Sequence, residues 1–372
     1  MKNNNIPKIR FPEFTDAWEK CKLGDCGKIV AGGDVDKNKL KPKGKYPVLA
    51  NALTNNGIIG FYDDYKHTSP AVTITGRGDI GYAIARETNF TAVVRLLVLK
   101  PKRYFDIFFL ENSINLKQIY IESTGVPQLT VPQISQYEIP FPSLAEQQKI
   151  GTFFRQLDRL ITLHKRKWDE VILLKKALLQ KMFPKNGSDF PEIRFPEFTH
   201  AWEKCKLGEV ANIFDNLRIP VTASERIIGT TPYYGANGIQ DYVDGFTHQG
   251  EFVLIAEDGA NDIKNYPCEY VEGKIWVNNH AHVLSGKKNI LDNPFLTYRI
   301  KSMDISPYLV GGGRAKLNAK VMLKIELSVP TLPEQQKIGT FFRQLDTLIT
   351  LHKRQHEHYQ RLKKALLQQM FV

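Results

Sequence analysis

Apolar residues recur at spacings of three and four along residues 146–183: Ile150, Phe153, Leu157 and Leu160, then Val171, Leu174 and Leu178. The same spacing returns along 334–371 with Ile338, Phe341, Leu345, Leu348, Leu362 and Leu366. A heptad stripe with no internal proline predicts one long helix per stretch, roughly 57 Å at about 1.5 Å per residue. Between its apolar halves the first stripe carries His164 and Lys167, matched by His352 and Gln355 in the second. Such a polar layer fixes register at some cost in stability. Proline-bearing residues 140–142 and 330–333 precede the two stretches and stop any strand before the helix begins. Elsewhere the pattern changes period. Short apolar runs at 71–74, 94–99, 252–255 and 279–284 read as strands. Two of them end in glycine-bearing turns, Thr75-Gly76-Arg77-Gly78 and Ala256-Glu257-Asp258-Gly259.

The two helical stretches are near copies, differing at nine of 38 positions, seven of them in the block 167–173 against 355–361. A second repeat opens each half: residues 7–25 return at 191–209 with three differences in 19 positions. The chain is therefore two tandem units, each an opening segment, a body and a long helix. The bodies, 26–145 and 210–333, are similar in length but share little sequence. Nearly copied frames around diverged inserts imply that the frames assemble while the inserts choose partners. What correspondence survives is local: Asn56-Gly57-Ile58 lines up with Asn237-Gly238-Ile239, and residues 123–129 with 311–317. Both bodies read as mixed α/β with short strands and Gly/Asn-rich loops.

Composition is that of an ordinary globular protein, 42% hydrophobic and 24% charged, with no apolar run long enough for a membrane span. The N-terminus lacks a signal-peptide core, so a cytoplasmic location is expected. Cys21, Cys26, Cys205 and Cys268 lack the spacing of a zinc site and read as packed or surface thiols. His280 and His282 fall on one strand face, but no third metal ligand is evident, and they read as structural. Catalytic signatures are missing. Asp292-Asn293-Pro294-Phe295 lacks the second proline of a methyltransferase loop, and Asp262 with Glu272-Gly273-Lys274 lacks the context of a nuclease site. Gly311-Gly312-Gly313-Arg314 does not continue into a phosphate-binding lysine motif. The sequence argues for a binding subunit rather than an enzyme.

One arrangement brings these features together. A glycine-bearing loop, then Pro-x-Leu-x-Glu-Gln-Gln-Lys-Ile opening a long helix, stands twice, with Ser143 to Ile150 and Thr331 to Ile338 carrying the motif. Over almost its whole length the chain resembles the specificity subunit of type I restriction–modification enzymes. The resemblance implies an α+β fold: two α/β target recognition domains, 1–145 and 184–333, joined by helices 146–183 and 334–372 in an antiparallel coiled coil with internal pseudo-twofold symmetry. It implies that each domain reads half of a split sequence in double-stranded DNA, and that the helices dock two methyltransferase (M) subunits. Restriction (R) subunits join through that core. It implies no cofactor in this chain, with S-adenosylmethionine, ATP and Mg on the partner subunits, and no membrane. Other readings of the same residues are a duplicated coiled-coil scaffold for other proteins, an orphan DNA-binding protein, and an enzyme of nucleic-acid modification.

Charge modifies the picture. The net charge is +12, yet the first body has fourteen Lys and Arg against ten Asp and Glu, and the second twelve against thirteen. The helices carry nine against four and seven against three. Since phosphate neutralisation dominates DNA affinity, the bodies are expected to discriminate while partners complete the binding. Base reading needs Arg for guanine, Asn or Gln for adenine, and Asp or Glu for cytosine. Arg77, on its turn with Thr75, is the leading candidate, and Asp258 stands at the equivalent place in the second body. Gln128 matches Lys316 in the closing loops, where Arg314 also lies. Asn55, Asn56, Tyr233, Tyr234 and Asn237 complete the set, the asparagines having tight-turn chemistry as the alternative.

Overall fold

The long helices come first, because each contributes to both halves of the protein. In the computed structural model, α4 (Leu144–Lys181) and α8 (Leu332–Met370) are continuous. The structure describes residues 5–117, 119, 128–185, 187–311 and 315–372. It divides into two units, one of Met1–Lys165 with Arg354–Val372, the other Arg166–Lys353. The first unit is assembled from two separate stretches of chain, whereas the second is one continuous stretch. None of the described helices is long and apolar enough to cross a membrane.

In the first unit, β1 (Glu19–Lys22) pairs antiparallel with β9 (Glu138–Phe141), with α1 (Leu23–Cys26) leading into the body. There β2 (Gly27–Ala31), β5 (Ala71–Ile74), β6 (Ala83–Arg86) and β8 (Leu97–Pro101) form a sheet of order β2-β8-β5-β6. All four residues of β5 are buried, as suits a central strand covered on both faces. A smaller sheet holds β3 (Tyr46–Leu49) between β4 (Ile58–Tyr62) and β7 (Thr91–Ala92). α2 (Ile107–Asn115) covers the larger sheet, and α3 (Val131–Ser135) precedes β9. Asp106 caps α2, its carboxylate accepting from the Phe108 and Phe109 amides at 3.0 and 2.9 Å.

The second unit repeats this plan. β10 (Glu203–Lys206) pairs with β17 (Glu326–Val329), and α5 (Leu207–Val210) leads into β11 (Ala211–Ile213). A single sheet of order β11-β16-β14-β15-β12-β13 follows, built from β12 (Ile228–Gly235), β13 (Gly238–Val243), β14 (His248–Ala256), β15 (Cys268–Val277) and β16 (Ala281–Gly286). β15 pairs antiparallel with β14 and then parallel with β12, the two roles that β6 and β7 divide in the first unit. One unbroken strand thus merges what are two sheets there. Asp292 caps α6 (Asn293–Lys301) through the Phe295 amide at 2.9 Å, so the Asp-Asn-Pro-Phe run is a helix start. α7 (Ala319–Met322) precedes β17.

Within each unit the helix segments run antiparallel. In the first, Phe154 faces Phe371, Asp158 binds Lys363 at 2.7 Å, and His164 stacks on Tyr359. In the second, Phe183 stacks on Phe342 and Lys175 binds Asp346. The stripe is a heptad, but with a different phase from the sequence reading. Ile150, Leu157, Ile338 and Leu345 are buried as expected, while Phe154 and Phe342, not Phe153 and Phe341, fill the next position. Phe153 sits at the border, edge-on to Phe11. Leu160 is half-buried beside Ile161, the four-and-three spacing passing through the latter. Leu174 and Leu348 are exposed, because the seam passes through Lys175 and Ile349 instead. Lys167 is exposed for the same reason, and Trp168 takes the seam position. Val171 and Leu178 pack on the second unit's core, Leu362 and Leu366 on the first's.

The repeated Glu-Gln pair is a latch. Arg10 donates twice to Glu146, both bonds 2.7 Å, and Arg194 does the same to Glu334. Gln147 accepts from the Asp106 amide and donates to the Tyr104 and Pro142 carbonyls, while Gln335 serves Asp292, Ile290 and Pro330 alike. These bonds to buried Glu and Gln side chains fix the start of each helix against its body. The far ends of the helices are equally matched. Phe371 closes on Trp18 and Phe109, and Phe183 on Trp202 and Phe295.

Candidate nucleic-acid interface

In the first body the chain leaves β5 at Ile74 and turns. Thr75 is buried; its hydroxyl donates to the Asp79 carbonyl and accepts from the Tyr82 amide at 2.9 Å. It holds the turn from inside rather than presenting a side chain. Gly76 donates to Asn51 Oδ1 at 2.7 Å, and Gly78 takes φ +70°, a conformation that favours glycine. Arg77 is thereby pushed into solvent. Its backbone bridges to Gln128, and its Nη2 donates to Gln128 Oε1 at 3.1 Å. A guanidinium has five N–H donors, so this bond leaves capacity for a base edge. Sequence matching placed these two residues in separate loops; the fold joins them.

Asn55 and Asn56 are exposed on a tight turn, at φ 48° and 52°. Asn tolerates this left-handed region better than most residues. Asn55 Nδ2 donates to the Ile58 carbonyl, which accounts for its side chain locally. Arg86 clamps the turn, donating to the Asn56 carbonyl at 2.8 Å and to Thr73 Oγ1 at 2.9 Å. Burial pushes the Arg86 guanidinium down to about 10.

The second body builds the same place from other chemistry. Where β14 ends, Asp258 bridges through its backbone to Lys316, as Arg77 does to Gln128. The Asp258 carboxylate holds His280 Nδ1. Its neighbour Glu257 accepts from Lys316 Nζ at 2.8 Å and from Arg218 Nη1 at 2.6 Å. Burial raises the Glu257 carboxyl, but the bonds from Lys316 and Arg218 outweigh it and hold the group below its usual range. Behind it, His282 Nδ1 meets Asp215 at 2.6 Å and Nε2 meets the Leu317 carbonyl at 2.7 Å.

Asp215, Glu257 and His282 thus converge, supplying carboxylates that the sequence reading did not find for His282. Arg218 and Lys316 already neutralise those carboxylates, and both His282 nitrogens face acceptors. The cluster is a charge network that ties β14, β16 and the closing loop together.

Two candidates move to the interior. Tyr233 and Tyr234 are both buried, near the end of β12 where it runs beside β15, whereas the strand's first residues stay exposed. The Tyr233 hydroxyl binds the Val221 backbone, and burial pushes the Tyr234 phenol up to about 12. Asn237 stays exposed but braces the Asp258 turn, donating to the Gly259 carbonyl and accepting from the Asn261 amide. Arg314 lies outside the described residues. The sequence reading missed Asn51, Arg86, Asp215 and Arg218, the supports of the exposed turns. Their partners lie tens of residues away, and no spacing announces them.

The family model for the type I restriction modification DNA specificity domain matches twice, over residues 15–173 and 199–358. A Haemophilus influenzae protein assigned as a type I restriction enzyme specificity subunit is 43% identical over 168 residues, which is 41% of this chain and 43% of that protein. The type I restriction enzyme MjaVIII specificity subunit of Methanocaldococcus jannaschii is 21% identical, with 98% of this chain and 95% of the relative aligned. The crystal structure of the S subunit of a type I restriction-modification system from M. genitalium superposes with a TM-score of 0.75. It covers 99% of both chains at 17% identity, a likeness of fold. With two copies of the domain spanning most of its length, the chain belongs to the type I restriction modification DNA specificity family.

Proposed function

We propose that this chain is the DNA-recognition subunit of a type I restriction–modification complex, each body reading one half of a bipartite target. The observation that carries this reading is the pair of equivalent bridges, Arg77 to Gln128 and Asp258 to Lys316. Matched frames hold the same loop junction in both bodies, and its side chains differ in charge and hydrogen-bonding sense. Arg77 suits the O6 and N7 acceptors of guanine, and Gln128 suits adenine. Asp258, carrying His280, offers an acceptor and a donor at the corresponding place in the second body. Lys316 is taken up by Glu257 and supports the turn.

The chain itself carries out no chemistry in this reading. Two methyltransferase subunits dock on the paired helices and bring S-adenosylmethionine, and restriction subunits with ATP and Mg join through them. The uneven charge of the bodies fits this division, because partners supply the remaining phosphate contacts.

The test is to express the chain with its methyltransferase partner and map methylated positions across a genome. A single target of two unlike half-sites with a fixed spacer is expected. Methylation at one uninterrupted site, or none above background, refutes the reading.

A further inference from the structure

The first frame holds a pair of thiols that the second lacks. Cys21 lies in β1 opposite Ile139, and Cys26 closes α1. Their sulfurs stand 2.6 Å apart. Non-bonded carbons, which are smaller than sulfur, settle at about 3.5–4.0 Å, whereas a disulfide spans about 2.05 Å. In the second frame Cys205 keeps the place of Cys21, but Val210 stands where Cys26 would be. We propose that Cys21 and Cys26 are a redox-active dithiol that closes to an intramolecular disulfide by exchange with a low-molecular-weight disulfide.

The two thiols divide the work. Cys21 is half-buried and reachable, and the hydrogen bond from Cys26 holds its thiol below the usual range. Cys26 is buried, and the same bond together with burial pushes its thiol up. The Cys21 thiolate attacks one sulfur of the external disulfide, forms a mixed disulfide and releases one thiolate. Cys26 then gives up its proton, and its sulfur attacks Cys21 and displaces the second thiolate. Two protein thiols are oxidised, and one external disulfide is reduced to two thiols. The new bond ties β1, which pairs with β9 beside the start of α4, to the end of α1, next to β2 at the edge of the recognition sheet. Cys205 lacks this activation: burial raises its thiol, and Val210 stands where Cys26 would be.

The full-length protein is incubated with oxidised glutathione, quenched in acid, unfolded and alkylated, and its peptides are weighed. The Cys21 and Cys26 peptides are expected joined and two hydrogens lighter, with Cys205 and Cys268 alkylated. Cys21 is expected to react at least tenfold faster than Cys205. Cys26→Val, which copies the second frame and so folds, should stop at a glutathione adduct on Cys21. Val210→Cys should give the second frame its own disulfide with Cys205. Four alkylated cysteines in the native chain, a lasting glutathione adduct on Cys21 there, or equal rates at Cys21 and Cys205 would overturn the proposal.

Discussion

Arg10 grips Glu146 and Arg194 grips Glu334 with the same two bonds, and Gln147 and Gln335 reach matching sets of backbone groups. At the other end of each body the likeness stops. One junction joins an exposed arginine to a glutamine; the other is a network of three carboxylates, two histidines, a lysine and an arginine. The frames are held by the same buried Glu and Gln bonds in both units, whereas each turn combines a backbone bridge with its own set of side-chain supports, Thr75 and Asn51 in one and Asn237 and Lys316 in the other. Identity is therefore kept where one geometry must be reproduced, and variation is allowed where the shared backbone bridge leaves the side chains free to differ.

The buried ion pairs give the largest expected effect. Replacing Glu146 or Glu334 with Ala strands a buried guanidinium, and breaking such a pair costs about 3–5 kcal/mol. Urea unfolding of Glu146→Ala and Glu334→Ala should show equal losses, each in its own unit. A difference above about 1 kcal/mol between them would mean that the frames are not energetically equivalent.

Next comes a place where the units differ inside. Glu111 on α2 is largely buried, and its carboxyl is pushed up to about 7 by burial. The matching position on α6 is Thr297, whose hydroxyl bonds its own helix. Because the folded Glu111 keeps a proton that the unfolded chain loses near pH 4.5, stability falls as pH rises from there to about 7. Glu111→Gln should remove that slope and stabilise the first unit at pH 8 by about 3 kcal/mol, with little gain at pH 4. An equal gain at both pH values would show that packing, not ionisation, separates the two residues.

The reading loops come third. Arg77→Ala should cost about 1–3 kcal/mol of discrimination at one half-site and leave the other half unchanged. Asp258→Ala should do the reverse. Methylation rates on targets with single base changes measure both. Loss at both halves from either substitution would mean that the turns act on folding or on general phosphate binding.

What the sequence disclosed follows the same division. The duplicated helices were legible because a period survives any local ambiguity, but their phase was not. Phe153-Phe154 and Leu160-Ile161 offer two apolar residues where the seam takes one; the sequence reading includes His164 in the seam, but Lys175, which the seam also includes, is passed over by a search for apolar residues. Arg77 and Asp258, and likewise Gln128 and Lys316, were reachable by matching loops between the halves, but that the two loops of each body meet was not. The network behind Asp258 was not, since Asp215 and His282 meet only through the order of the strands. Residue type alone makes Tyr233 and Tyr234 candidates, but both are buried where β12 pairs with β15.

The smallest effect tests the helix pairing. Lys363 donates to both oxygens of Asp158 at 2.7 Å, and Lys175 binds Asp346 from the matching position. Both aspartates are more than a third exposed, so each pair is worth about 0.2–1 kcal/mol. The pairs are not equal, however. Asp346 also accepts from the Tyr298 hydroxyl at 2.7 Å, and the residue matching Tyr298 in the first unit is Asn112, which donates to the Phe108 carbonyl instead. Burial lowers the Lys175 ammonium, so part of what its pair gains is returned as desolvation. Lys175→Met should therefore be nearly neutral, leaving Asp346 with Tyr298 and an apolar chain in the seam. Lys363→Met should be the costlier change, because Asp158 loses both of its bonds from that lysine. Thermal unfolding at low and high salt measures the difference: the Lys363 effect should shrink with salt and the Lys175 effect should not. If Lys175→Met proves the more damaging, the tyrosine bond does not support Asp346 alone, and the two helix pairings are held together by different means.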